Sequence, residues 1–263
     1  MSMDYDTLTI AIADKVATVT LNRPDLRNAF NEQAIAELAL AFDELGRNEL
    51  VRAIVLAANG PAFCAGADLN WMKKMAGYSH DENLADASRL ADMLRTIYLC
   101  PKPTVAKVQG DCYAGGMGLV AACDIVVAAD TVNFCLSEVK LGLIPATISP
   151  YVIKAMGEQA ARRYFITAER FDAAAALRMG FAHEVVAAEN LDTTVAGLVK
   201  ALVSNSPNAV VEAKKLVREV VGAPVTDALL LDTAQRIAAI RASSEGREGV
   251  ASFLEKRKPN WLN

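Results

Sequence analysis

The stretch that most limits how this chain can fold is residues 51–58, of strand length and apolar at every position but Arg52. A run without polar alternation offers no face to water, so it predicts a strand buried on both sides. Residues 105–108 and 125–128 also read as strands. Helical stretches separate these runs: residues 82–99, ended by Pro101 and Pro103, and a short segment reaching Ala122. The order β-α-β-α-β implies parallel strands joined by right-handed crossovers, so the fold class is α/β. Ahead of this unit, Leu8, Ile10 and Ile12 lead through Ala13-Asp14-Lys15 to Val16, Val19 and Leu21, the pattern of a hairpin. Ile35, Leu38, Phe42 and Leu45 then fit one face of a helix beginning near residue 31.

Beyond about residue 148 nearly everything reads as helix. Ser149-Pro150 and Ser206-Pro207 suit N-cap and first-turn positions, and Asp172 opens a helix that Gly180 closes. Further helices are expected near 190–204, 207–221, 226–241 and 244–257. The last three are amphipathic and have few strands to cover them, so they are expected to pack on the α/β core and on a neighbouring subunit. The expected division is a core over residues 1–200 and a helical region over 201–263.

Several function classes lose weight on composition. The 27 basic and 31 acidic side chains leave a net charge of −4 without a basic block, which disfavours nucleic acid as a partner. No apolar run reaches the roughly 18 residues of a membrane span. The opening Met1-Ser2-Met3-Asp4-Tyr5-Asp6 has no cationic or apolar stretch, so no export signal is expected and a cytoplasmic location is. The five cysteines show no CxxC spacing and read as reduced thiols. His80 and His183 are too few for a metal centre, and none is expected.

The chemistry gathers at two glycine-containing turns that follow strand-like runs: Phe63-Cys64-Ala65-Gly66-Ala67-Asp68-Leu69 and Tyr113-Ala114-Gly115-Gly116-Met117-Gly118. Small residues there let main-chain N–H groups face outward, and two such donors converging on one point would form an oxyanion hole. Gly116-x-Gly118-x-x-Ala121 superficially fits a dinucleotide fingerprint, but Gly110-Asp111-Cys112-Tyr113-Ala114-Gly115 intervenes and Asp124 comes too early for a crossover helix. Cys64 reads as a packed thiol before it reads as a nucleophile. Glu138, in Phe134-Cys135-Leu136-Ser137-Glu138-Val139, admits two readings. It is either a carboxylate whose apolar surroundings raise its pKa for proton transfer, or a surface residue at a helix start capped by Ser137.

Taken together, Leu21-Asn22-Arg23-Pro24, Arg27-Asn28-Ala29-Phe30, the first turn, Pro101-Lys102-Pro103-Thr104, Gly115-Gly116, Ala122-Cys123-Asp124, Phe134, Glu138 and Leu141-Gly142-Leu143-Ile144-Pro145 resemble the enoyl-CoA hydratase/isomerase (crotonase) superfamily over nearly the whole chain. Phe253-Leu254-Glu255-Lys256-Arg257 fits as well. The resemblance implies a spiral of ββα units, a helical C-terminal region that builds homotrimers or paired trimers, and an acyl-CoA thioester substrate with no cofactor beyond its CoA. It implies the Ala67 and Gly115 N–H groups as oxyanion donors and Glu138 as the acid/base. It also implies Arg27, Ala29, Ala65, Asp68 and Leu69 along the CoA, joined by Phe253 and Lys256 from the last helix. Trp71, Met72, Met75, Gly118 and Pro145 would border the acyl group.

One departure stands out. Hydratases of this family carry a second glutamate where this chain has Gly118, so either Glu138 serves both proton transfers or the reaction is not hydration; Asp111 and Tyr113 are nearby candidate helpers. The chain most resembles the bacterial methylglutaconyl-CoA and carboxygeranoyl-CoA hydratases, in which Ala146-Thr147-Ile148-Ser149-Pro150 replaces a Gly-Gly-Thr-Gln stretch. Isomerisation of a 3-enoyl-CoA needs one base and is the rival. A thioester hydrolase or decarboxylase of this fold and a catalytically weak CoA-binding protein are further alternatives.

Overall fold

The computed structural model describes residues 5–262, so the reading of Met1, Ser2, Met3 and Asp4 lies outside the described residues. The chain begins with an antiparallel hairpin, β1 (Leu8–Ala13) and β2 (Val16–Leu21). Asp14 and Lys15 hold left-handed φ values of 49° and 67° at its tip, the signature of a tight hairpin turn. Then come α1 (Glu32–Arg47), capped by the Asn31 side chain, β3 (Ala53–Ala58), β4 (Ala62–Cys64), α2 (Leu69–Met75) and α3 (His80–Leu99). Two further units follow: β5 (Thr104–Val108), β6 (Asp111–Tyr113) and α4 (Gly115–Ala122), then β7 (Ile125–Ala129) and β8 (Asn133–Cys135). The remainder is α5 (Ser149–Met156), α6 (Glu158–Thr167), β9 (Phe171–Asp172), α7 (Ala173–Arg178), β10 (Glu184–Val186), α8 (Leu191–Ser204), α9 (Pro207–Val220), α10 (Asp227–Ala242) and α11 (Ser244–Leu254).

Two sheets organise these elements. The larger runs β1-β2-β3-β5-β7-β10, and the smaller runs β4-β6-β8-β9. Each turn of the chain lays one strand in each sheet, so β3/β4, β5/β6 and β7/β8 stack as a ββα spiral. As the apolar run predicts, every residue of β3 is buried between its parallel neighbours β2 and β5. The short strands of the second sheet escape sequence reading because three residues are too few to show a period. So does α2, whose start rests on the Asp68 side chain accepting from the N–H groups of Asn70 and Trp71.

The C-terminal half, expected to be nearly all helical, also holds the short strands β9 and β10, which pair with β8 and β7. Asp172 and Ser206 cap their helices as expected, whereas Ser149 sits inside the first turn of α5 and donates to the Ala146 carbonyl instead. The expected boundary at residue 200 falls within α8, whose Leu191, Val195 and Val199 are buried in the core. Helices α9 and α10 have no buried residue, and Val217, Leu230 and Leu231 stand more than half exposed. Among the described residues no helix is long and apolar enough to cross a membrane.

Candidate active site

Strands β4, β6 and β8 are parallel neighbours, with Cys64 opposite Cys112 and Tyr113 opposite Cys135. Their C-terminal ends therefore lie side by side, the usual ligand position in such sheets. The first turn leaves β4, the second leaves β6, and Glu138 follows β8. These three candidates, scattered through the sequence, follow neighbouring strand ends because consecutive turns of the spiral deliver them to one edge. A Cβ placed on Gly66, whose φ is 96°, would lie 3.2 Å from the Ala114 Cβ, so the two turns touch.

The direction of each candidate N–H follows from peptide planarity. Phe30 bridges the first turn: its N–H donates to the Gly66 carbonyl at 2.7 Å, and its carbonyl accepts from Asp68 N–H at 2.7 Å. Gly66 C=O and Ala67 N–H share one planar trans peptide, so fixing the carbonyl towards Phe30 turns the Ala67 N–H the opposite way. In the second turn the Ala114 carbonyl accepts from Met117 N–H at 2.9 Å, which likewise turns the Gly115 N–H outward at the start of α4. Neither N–H has a protein partner among the described residues. Ala114 holds φ 46° and ψ −122°, a conformation costly for any residue with a Cβ, to make this turn.

Glu138 opens a short 3-10 turn that ends at Gly142. Ser137 does not cap it, so the surface-cap reading fails on its own terms. The Glu138 Oε2 is buried without a hydrogen-bond partner. Burial raises the pKa of this carboxyl, against a smaller lowering by its own N–H. A carboxyl raised by burial is the kind of group found at proton-transfer sites.

Asp111 and Tyr113 are engaged with each other. The Tyr113 hydroxyl donates to Asp111 Oδ2 at 2.5 Å, and Asn133 donates to Oδ1 from its N–H and its side chain. Burial and this bond push Tyr113 up to about 12, so its hydroxyl stays protonated at neutral pH. Cys64 is fully buried and pushed up to about 12 by desolvation, the state of an inert packed thiol.

Gly118 is not an open position. A Cβ there would stand 2.3 Å from Ile148 Cγ2 and 2.9 Å from Ile148 Cβ. Ile148 thus occupies the space a side chain at 118 would need. Trp71 is buried in the core, with its indole N–H donating to Asp86 Oδ1 at 3.3 Å; Met72 and Met75 are half-buried and Pro145 is buried.

A small cavity of about 220 Å³ lies between Arg27, Pro61, Ala62, Ala65, Asp111 and Tyr113. Arg27 and Leu69 are exposed at the surface, while Ala29 is buried with its carbonyl bound by Arg23. Asp68 is buried in an ion pair with Arg23 at 2.8 Å. Desolvation would raise the Asp68 pKa, but hydrogen bonds from Arg23, Asn70 and Trp71 together hold it below the ordinary range. Phe253 is 82% exposed on α11, which packs on α9 and α10, and Lys256 follows with a left-handed φ of 54°. Sequence reasoning missed Arg23 and Ile148 as parts of this site, because nothing local in the sequence reveals their partners. Among the described residues no His, Cys, Asp or Glu cluster could hold a metal.

The sequence profile described as enoyl-CoA hydratase/isomerase matches residues 11–263. The chain belongs to this family. An enoyl-CoA hydratase from Shewanella pealeana, solved crystallographically, superposes with a TM-score of 0.94 at 45% identity, covering 97% of this chain and 96% of that one. One from Mycobacterium smegmatis gives 0.91 at 34% identity, over 98% and 99% of the two chains. A relative from Alternaria alternata, named enoyl-CoA hydratase AKT6-1, is 35% identical over 246 residues, 91% of this chain and 78% of its own. The crotonase-type spiral, with its helical C-terminal region, is the fold of this enoyl-CoA hydratase/isomerase family member.

Proposed function

We propose that the chain is an enoyl-CoA hydratase that adds water across the 2,3 double bond of a short or branched enoyl-CoA, with Glu138 as its one acid/base. The carrying observation is the buried, unpartnered Oε2 of Glu138 at the strand edge where the Ala67 and Gly115 N–H groups stand free. In the first step the Glu138 carboxylate takes a proton from water as the oxygen bonds to C3. The electron pair of the double bond moves through C2 onto the thioester oxygen, where the two N–H groups hold the enolate. The protonated Glu138 then returns its proton to C2, and the carbonyl re-forms. Removal of one such donor typically costs ~10²–10³ in rate.

The same proposal places the CoA along Arg27, Ala29, Ala65, Asp68 and Leu69. Asp68 would border the CoA as part of the turn, since Arg23 holds its carboxylate and the Phe30 carbonyl holds its N–H. Phe253 and Lys256 would reach the CoA of a neighbouring subunit. The exposed apolar side chains of α9 and α10 support burial of this region in a homotrimer or a pair of trimers. A branched substrate such as 3-methylglutaconyl-CoA fits the bacterial branch that the sequence resembles.

One observation favours a second reading. With Ile148 in the space beside Gly118, the site is left with one carboxylate. One carboxylate suffices to move a proton from C2 to C4 and so to convert a 3-enoyl-CoA into a 2-enoyl-CoA. The conjugated thioester absorbance decides between them. A hydratase consumes it with crotonyl-CoA or 3-methylglutaconyl-CoA, an isomerase generates it from a 3-enoyl-CoA, and equal rates for wild type and Glu138→Gln would remove Glu138 from either scheme.

A further inference from the structure

We propose that Arg23 is a positioning residue for the oxyanion hole, acting through Asp68 and Ala29 on the Ala67 N–H; this rests on the proposed role of that N–H. Arg23 precedes the two left-handed residues Arg27 and Asn28, and its own N–H donates to Asn28 Oδ1 at 2.8 Å. Its side chain is 18% exposed, and the guanidinium forks. Nη1 donates to the Ala29 carbonyl at 2.6 Å, and Nη2 donates to Asp68 Oδ2 at 2.8 Å.

Those two acceptors flank the bridge that aims the Ala67 N–H. Ala29 precedes Phe30, whose main chain binds the Gly66 carbonyl and the Asp68 N–H, and Asp68 follows Ala67. One rigid planar cation therefore ties together both sides of the Phe30–Ala67 pairing. Asn28 secures the same loop from behind by donating to the Asn59 and Ala62 carbonyls at 2.8 and 3.0 Å. Ala65 N–H donates to the Arg27 carbonyl at 3.0 Å, so the loop and the turn are joined along their length. The Phe30 ring then carries the constraint to the second turn, since a Cβ on Gly115 would meet its Cε2 at 2.8 Å. Arg23 touches no reacting atom. Its effect is to keep one peptide plane from rocking, and a tilt of that plane moves the donor away from the developing oxyanion.

Truncating Arg23 alone would strand the Asp68 carboxylate, which is only 7% exposed. The informative variant is therefore Arg23→Met/Asp68→Asn, in which the asparagine still accepts at the start of α2. The probe is 4-(dimethylamino)cinnamoyl-CoA, a push–pull thioester whose absorption moves to the red as its carbonyl is polarised. Wild type is expected to bind it with a red shift. The double variant should bind it with a clearly smaller shift, and should turn over crotonyl-CoA with kcat down ~10-fold or more at a KM within threefold of wild type. Arg23→Lys should recover only part of the shift, since an ammonium cannot fork in one plane. If the double variant does not fold, Asp68→Asn alone carries the test, with a smaller shift expected. A shifted wild type beside an equally shifted folded variant overturns the role of Arg23 alone. A wild type with neither shift nor turnover overturns the oxyanion reading and this inference with it.

Discussion

Ile148 Cγ2 stands 2.3 Å from where a Gly118 Cβ would be, so a side chain at 118 needs Ile148 to give way. Ile148 is 2% exposed and directly precedes α5, which packs on α4. Gly118→Glu should therefore lose ~1–3 kcal/mol or more from overpacking, read as a lower Tm. Gly118→Glu/Ile148→Ala should regain most of that loss. A Gly118→Glu variant melting with wild type would show that Ile148 moves aside freely.

Glu138 links activity and stability in opposite directions. Burial raises its folded pKa, so its contribution to stability is present below the ordinary glutamate range and is lost as pH rises through the folded value. Glu138→Gln should melt higher than wild type at pH 8, and the gap should narrow as pH falls towards ~4. The same variant should lose ~10²–10⁴ in kcat. In wild type, kcat/KM for hydration should rise with pH through a midpoint above ~4.3. A variant that melts below wild type at pH 8 would contradict the buried, unpartnered carboxylate.

Gly115 meets the Phe30 ring at its would-be Cβ, with 2.8 Å to Cε2 and 3.0 Å to Cδ2. Gly115→Ala is expected to push the ring and the second turn apart, costing ~1–3 kcal/mol in stability and lowering kcat more than it raises KM. Gly115→Ala/Phe30→Leu should recover part of the lost kcat. Unchanged kinetics in Gly115→Ala would show that the ring does not hold the turn.

Cys64 should be chemically silent. It is buried beside the first turn with its thiol pushed up to about 12 by desolvation, and all five cysteines are buried and free. Treatment of the folded protein with iodoacetamide at pH 8 should leave Cys64 unlabelled and activity intact, whereas the unfolded chain should label fully. Rapid modification of native Cys64 with loss of activity would restore it as a candidate nucleophile.

Much of this architecture is legible in the chain because it depends on local periodicity and on small residues at turns. Residues 51–58 announce β3 through apolarity interrupted only at Arg52, and Ile35, Leu38, Phe42 and Leu45 announce α1 through their spacing. The glycine turns mark the candidate site in the sequence, while the choice of Glu138 between its two readings comes from the family resemblance and not from its apolar neighbourhood. What one dimension cannot express is pairing between distant segments. The second sheet is built from strands of two or three residues whose order follows from neighbouring turns of the spiral, not from their own composition.

The ionisation of Glu138 and the aim of two N–H groups are likewise tertiary properties. The first depends on burial in the folded chain, the second on which carbonyl holds the other side of each peptide plane. Gly118 reads as a missing side chain in the sequence and as filled space in the fold, because Ile148 arrives there only when α5 packs on α4. Residue types and spacing determined which groups were available; packing alone decided which of them lie buried, and which N–H groups are left unpaired, along one edge of a sheet.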